Sequence, residues 1–212
     1  IAQTYNYWVT EESANGCEGP AIQVSIIVTP LPGAPILLNT SYEACFGLSN
    51  PLMEASGSLG GINFNWYDAS GFILPLGTNT STFTSTEVNP STYTYFVEEI
   101  VGSCTSPQTQ FTLTIHPPPA SPSIIPSVIT ICEGDNPNSF VANTGGSSGS
   151  YNWYDVNPIL NPSSVAVFSG SSFFPNQIAP GTYTYWLTET DLTTTCISAP
   201  SIATFIVNEL PL

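Results

Sequence analysis

The chain of 212 residues contains no Lys or Arg against 15 Asp plus Glu, a formal net charge of −15, and is 42% hydrophobic and 12% aromatic. Nucleic acid, anionic lipid and phosphate are held mainly through cationic side chains, so binding of those kinds is disfavoured, and ion pairs are confined to His116 and the chain terminus. The apolar content argues against disorder despite 20 Pro and 16 Gly, and no apolar run approaches the roughly 18 residues of a membrane span.

The first expected strand is Thr4-Tyr5-Asn6-Tyr7-Trp8-Val9, and its motif returns as Thr92-Tyr93-Thr94-Tyr95-Phe96-Val97 and Thr182-Tyr183-Thr184-Tyr185-Trp186-Leu187. Trp66 and Trp153, Cys45 and Cys132, and Cys17 and Cys104 keep the same step of about 90 residues, so one unit repeats along the chain. Next, the alternation of Ile22, Val24, Ile26 and Val28 reads as a half-buried strand. It ends in the proline joint Val28-Thr29-Pro30-Leu31-Pro32, which recurs as Ile115-His116-Pro117-Pro118-Pro119 and Val207-Asn208-Glu209-Leu210-Pro211. Cutting at the joints gives the C-terminal half of a repeat over residues 1–31 and full repeats over 32–118 and 119–212. The front half of the first copy and an N-terminal export signal are both missing from the sequence, so a mature segment of a longer protein is expected.

In the middle repeat Ile62, Phe64 and Trp66 point one way while Asn63, Asn65 and Tyr67 point the other, and Phe111, Leu113 and Ile115 alternate again. In the last repeat Tyr183, Tyr185 and Leu187 do the same. Helical periodicity is nowhere sustained. About seven short strands per repeat, separated by Gly, Pro, Asn and Ser clusters, predict an all-β chain of tandem immunoglobulin-like antiparallel sandwiches, about two and a half repeats in all. Trp66 and Trp153 take the place of that fold's buried Trp, and Tyr93 and Tyr183 that of its tyrosine corner.

Cysteines stand at 17, 45, 104, 132 and 196, with gaps of 28, 59, 28 and 64 residues. The long gaps fall inside repeats, so we expect Cys45 to bond Cys104 and Cys132 to bond Cys196, each repeat stapled by its own bridge, with Cys17 bonded to a cysteine upstream of residue 1. The rival pairing, Cys17 with Cys45 and Cys104 with Cys132, straddles the joints and orphans Cys196. Disulfides place the protein in an oxidising, extracellular setting, which the lack of sites for trypsin-like proteases suits.

His116 is the only histidine, and with no Lys the chain offers no Ser-His-Asp group, no histidine-ligated zinc and no Schiff base. Glu98 with Glu99 and Glu11 with Glu12 are adjacent on strands and face opposite sides, so no enzyme activity and no cofactor are expected. Cys132-Glu133-Gly134-Asp135 and Cys17-Glu18-Gly19 carry hard oxygen donors suited to calcium. They occupy non-equivalent places in the repeat, and solvated turns are the simpler reading, so no metal site is expected. The outward alternates Tyr67 with Phe96 and Tyr154 with Trp186 are expected to form cross-strand aromatic pairs, with Trp8 facing out similarly. They either reinforce the sheet or form a contact surface for glycan rings or a neighbouring chain. Asn39-Thr40-Ser41 and Asn79-Thr80-Ser81 match the N-glycosylation pattern.

Asn65-Trp66-Tyr67-Asp68, Asn152-Trp153-Tyr154-Asp155, Ile131-Cys132-Glu133-Gly134-Asp135 and Pro180-Gly181-Thr182-Tyr183-Thr184-Tyr185, with a late Cys before the last strand, resemble the immunoglobulin-like repeats of very large secreted surface proteins of Bacteroidota, such as gliding-motility adhesins. The resemblance covers essentially the whole chain, and departs from the pattern where Tyr42-Glu43-Ala44-Cys45-Phe46-Gly47 replaces Cys-Glu-Gly-Asp. It implies export by the type IX route, a place at the cell surface and use in a long adhesive filament. The expected function is a non-catalytic stalk segment supplying reach and mechanical stability. Its expected partners are neighbouring repeats of the same chain, surface polysaccharide or other filament chains, with no nucleic acid and no membrane insertion. The alternatives are a carbohydrate-binding module and a filament subunit completed by strand exchange through residues 1–31.

Overall fold

The computed structural model describes residues 2–58, 60–61, 63–146 and 149–211. Ile62, assigned to the inner face of a strand by alternation, lies outside the described residues. The strands are β1 (Gln3–Val9), β2 (Ile22–Val28), β3 (Ile36–Leu37), β4 (Ser41–Cys45), β5 (Met53–Ser56), β6 (Phe64–Asp68), β7 (Ile73–Thr78), β8 (Thr82–Phe83), β9 (Ser91–Val101), β10 (Cys104–Thr105) and β11 (Thr109–His116). They continue as β12 (Ser123–Ile125), β13 (Val128–Cys132), β14 (Phe140–Asn143), β15 (Gly149–Tyr154), β16 (Phe168–Ser169), β17 (Ser172–Phe173), β18 (Gly181–Asp191) and β19 (Ser201–Asn208). No helix occurs among the described residues.

The same two-sheet plan is built twice. Strands β3 to β11 give one sheet in the order β4-β11-β9-β6-β7, with β10 against β9, and a second in the order β3-β5-β8. Strands β12 to β19 give β13-β19-β18-β15-β16 and β12-β14-β17. The expectation of wholly antiparallel sheets needs amending in two places: β13 pairs β19 in parallel, Val128 with Thr204 through Cys132 with Asn208, and β4 runs along β11 the same way, the Thr112 N–H donating to the Thr40 carbonyl and the Phe46 N–H to the His116 carbonyl.

By contact density the chain divides into two compact units, residues 1–40, 52–84 and 94–112 in the first and 41–51, 85–93 and 113–212 in the second. Strands β9 and β11 contribute residues to both. In the first unit the inward alternates Phe64, Trp66, Val97 and Phe111 are buried, and Trp66 stacks on Phe83 at 5.5 Å and meets Phe111 edge-on at 5.6 Å. The Trp66 indole N–H donates to the Thr80 carbonyl at 3.0 Å, so the largest core side chain leaves no unpaired donor. The hairpin β1–β2 also belongs to this unit. Its register puts Tyr5 opposite Ile26, Tyr7 opposite Val24 and Val9 opposite Ile22, yet Tyr7, Val9, Ile22, Val24 and Ile26 are exposed.

The second unit repeats the core with Phe140, Trp153, Phe173, Tyr185, Leu187 and Phe205. Trp153 stacks on Phe173 at 5.2 Å, and its N–H donates to the Gly170 carbonyl at 3.0 Å. The tyrosine corner is present at both expected places: the Tyr93 hydroxyl donates to the Asn89 carbonyl at 3.0 Å and that of Tyr183 to the Ala179 carbonyl at 2.9 Å.

Candidate functional site

The cysteines depart from expectation. Cys45 is bonded to Cys196 across 151 residues of sequence, and Cys17, Cys104 and Cys132 are free thiols. Both bonded residues lie in the second compact unit. The bonds expected between Cys45 and Cys104, and between Cys132 and Cys196, are not formed, nor is the rival set across the joints. Strand direction explains why. Cys132 is registered with Asn208 at the end of the sheet where β18 begins, since Gly181 faces Val207. Cys196 lies past the other end of β18, where the Asp191 N–H donates to its carbonyl at 2.9 Å. The eleven residues of β18 separate them by about 35 Å, far beyond the ~5.5 Å between the Cα atoms of a bonded pair.

The turn that presents Cys196 is organised by Asp191. Its carboxylate accepts the N–H of Thr193 at 2.7 Å and of Thr194 at 3.0 Å. These backbone donors, first Thr194 and then Thr193, hold its pKa below the usual carboxylate value, with a further contribution from His116. Thr195, with φ of 61°, follows in the left-handed region. His116 is not a bare joint residue: its Nε2 pairs with the Glu43 carboxylate.

The outward aromatics are directly opposite one another, Tyr67 against Phe96 and Tyr154 against Trp186, and all four are half-buried. The Tyr67 hydroxyl donates to Glu98 at 2.5 Å; burial, and then this bond, raise its pKa. Trp8 faces out beside Gln23 and is exposed. The acidic turns hold no cluster: Asp135 accepts the Cys132 N–H at 3.2 Å, and no group of three His, Cys, Asp or Glu side chains able to hold a metal ion occurs among the described residues. Asn39 and Asn79 are exposed.

Sequence reasoning passed over two buried carboxylates. Glu99 accepts the N–H and hydroxyl of Ser58, at 3.0 and 3.1 Å, and the Gly61 N–H at 3.0 Å. A Cβ at either Gly57 or Gly61 would come within 2.1 Å of its Oε1, so the glycines make the room. Glu189 accepts from the Thr144 hydroxyl at 3.1 Å and the Gly145 N–H at 2.8 Å. Each carboxylate thus meets the requirement that a buried charge be hydrogen-bonded.

One further feature is an open concavity beside Phe174. It is a cavity of about 440 Å³ lined by Phe168, Phe173, Phe174, Asp155, Asn176 and Gln177, with Tyr185 at its wall.

A family model described as "Ig-like domain CHU_C associated" matches residues 32–117. The fold is all-β and immunoglobulin-like over that repeat. Among solved structures, the chicken CNTN1 FN1-FN3 domains align with a TM-score of 0.44 at 12% identity, covering 97% of this chain and 76% of that one. Mouse Cadherin-23 EC22-24 aligns with a TM-score of 0.30 at 12% identity, covering 98% and 74%. No curated protein matches the sequence.

Proposed function

We propose that the chain is a non-catalytic, load-bearing stretch of a long extracellular adhesin or cell-surface filament, in which successive β-sandwiches supply reach. The observation that carries this reading is the bond between Cys45 and Cys196, which closes 151 residues into one loop. When the chain is pulled from its ends, force bypasses everything inside that loop while the bond holds. The repeated cores and the immunoglobulin-like match over residues 32–117 support the structural role. An oxidising location suits the bond.

Single-molecule stretching with and without reductant tests the reading. At about 3.4 Å per extended residue, opening the 151-residue loop adds about 500 Å of contour length. Equal unfolding lengths in both conditions would remove the load-bearing role.

The cleft beside Phe174 favours a second reading, a carbohydrate-binding repeat, because its volume and its mix of aromatic and polar walls fall within the range of small-ligand sites. Under it, Phe174→Ala weakens retention on immobilised polysaccharide about tenfold without moving the melting temperature. Absence of retention by the unaltered chain on every polysaccharide tried would dismiss it.

A further inference from the structure

We infer that cross-links are staggered along the array: the early cysteine of each repeat bonds the late cysteine of the repeat that follows it. Cys45 and Cys196 are one such pair. Cys17 and Cys104 are then bonding positions for the early cysteine of another copy of the repeat, and Cys132 for the late cysteine of another copy. The inference deepens the load-bearing reading by naming the covalent partner, and rests on it only in treating the chain as an array.

The early cysteines occupy one structural position. Cys45 ends β4, and the next residue, Phe46, donates its N–H to the His116 carbonyl at 2.9 Å. Cys132 ends β13, and Glu133 donates to the Asn208 carbonyl at 2.9 Å. His116 and Asn208 each close the last strand of their repeat, just before the proline joint. The late cysteines share a position too. Two residues beyond each, an N–H returns to a glutamate carbonyl: Gly19 to Glu11, Ser106 to Glu99 and Ser198 to Glu189, at 2.8, 2.9 and 2.8 Å.

Cys104 already stands where this rule requires. Its Sγ lies 3.5 Å from the hydroxyl of Thr29, the residue just past β2 that corresponds to His116 and Asn208. It therefore sits at the outgoing end of the preceding half-repeat. In that sheet β2 pairs only with β1 among the described residues, so its other edge is open to an early strand laid parallel to it, as β13 is laid on β19. Such a strand ends in a cysteine beside Thr29 and Cys104. In the same way Cys132, exposed beside Asn208, awaits a late turn like the one that Asp191 shapes around Cys196.

Bond formation needs an oxidant, either an oxidoreductase disulfide or a small disulfide of the glutathione class. One cysteine thiolate attacks that disulfide, forms a mixed disulfide and expels one thiolate. The second cysteine thiolate then attacks the protein sulfur, closes the Cys–Cys bond and expels the other. Two electrons and two protons pass from the cysteine pair to the oxidant, which leaves as two thiols.

The test has two arms. In the chain itself, alkylation without reduction is expected to label Cys17, Cys104 and Cys132 and to spare Cys45 and Cys196. In a chain lengthened at its C-terminus by a second copy of residues 119–212, the added copy carries Ile197→Val as a mass tag and the protein is oxidised in a glutathione buffer. Peptide mapping is expected to join Cys132 to the tagged late cysteine and to leave the added early cysteine alkylated. A Cys132 bond to its own Cys196, or a Cys132 that stays alkylated while circular dichroism shows the added copy folded, would overturn the staggered rule. A Cys132 left alkylated overturns the staggered rule while the stretching result for Cys45 and Cys196 stands, whereas a bond from Cys132 to Cys196 takes the sulfur that Cys45 needs and removes both readings.

Discussion

Tyr183, Glu189 and Asp191 lie within nine residues of one another and do three different kinds of work. The Tyr183 hydroxyl pins the chain before β18 through the Ala179 carbonyl, and Tyr183→Phe is expected to cost about 1 kcal/mol in urea denaturation, the net value of one such bond. Glu189 is the more consequential. Glu189→Leu removes the acceptor of the Gly145 N–H and sets an apolar side chain beside it, and is expected to cost about 2–4 kcal/mol by the same measurement, with Glu189→Gln costing less. This residue was legible in the sequence: Glu11, Glu99 and Glu189 hold one place in the three copies, next to residues that vary as Thr10, Glu98 and Thr188. Glu99 was weighed only as one half of an adjacent pair whose members face opposite sides, and that comparison does not ask which member faces in. For Asp191 the folded pKa is depressed, so its contribution is complete above the unfolded carboxylate pKa and disappears as pH falls through the folded value. Carboxyl NMR titration is expected to place Asp191 below the usual carboxylate value, and Asp191→Asn is expected to flatten that acid limb of stability.

At the level of strands, period-2 alternation carried most of the fold, since Phe64, Trp66, Phe111, Leu113, Trp153, Tyr185 and Leu187 are buried where the reading put them. Strand pairing between Tyr154 and Trp186 was likewise accessible, because neighbouring strands of opposite direction fix which residues meet. Cysteine partnership was not. Spacing reports how far apart two residues are along the chain, whereas a disulfide depends on which end of a sheet each occupies, and the early and late cysteines of one repeat lie at opposite ends of an eleven-residue strand. The assumption that each repeat must be self-sufficient chose the wrong partner. Removing the bond by Cys45→Ser relaxes a 151-residue loop and is expected to lower thermal stability by about 3–5 kcal/mol, read by calorimetry with the reduced chain as control.

For the molecule as a whole, a charge of −15 with no Lys or Arg leaves repulsion almost unopposed by ion pairs, the contact of His116 with Glu43 aside, and salt within a Debye length of about 8 Å screens it. The bond between Cys45 and Cys196 has a second consequence besides its effect under tension. A single cut in the backbone anywhere between those two residues leaves both fragments tied through sulfur, so the thread tolerates a nick over most of its length. Limited digestion at Glu98 or Asp155 is expected to leave one band on a non-reducing gel and two on a reducing one. Damage that would sever an ordinary string of beads becomes, in this chain, a wound that does not part it.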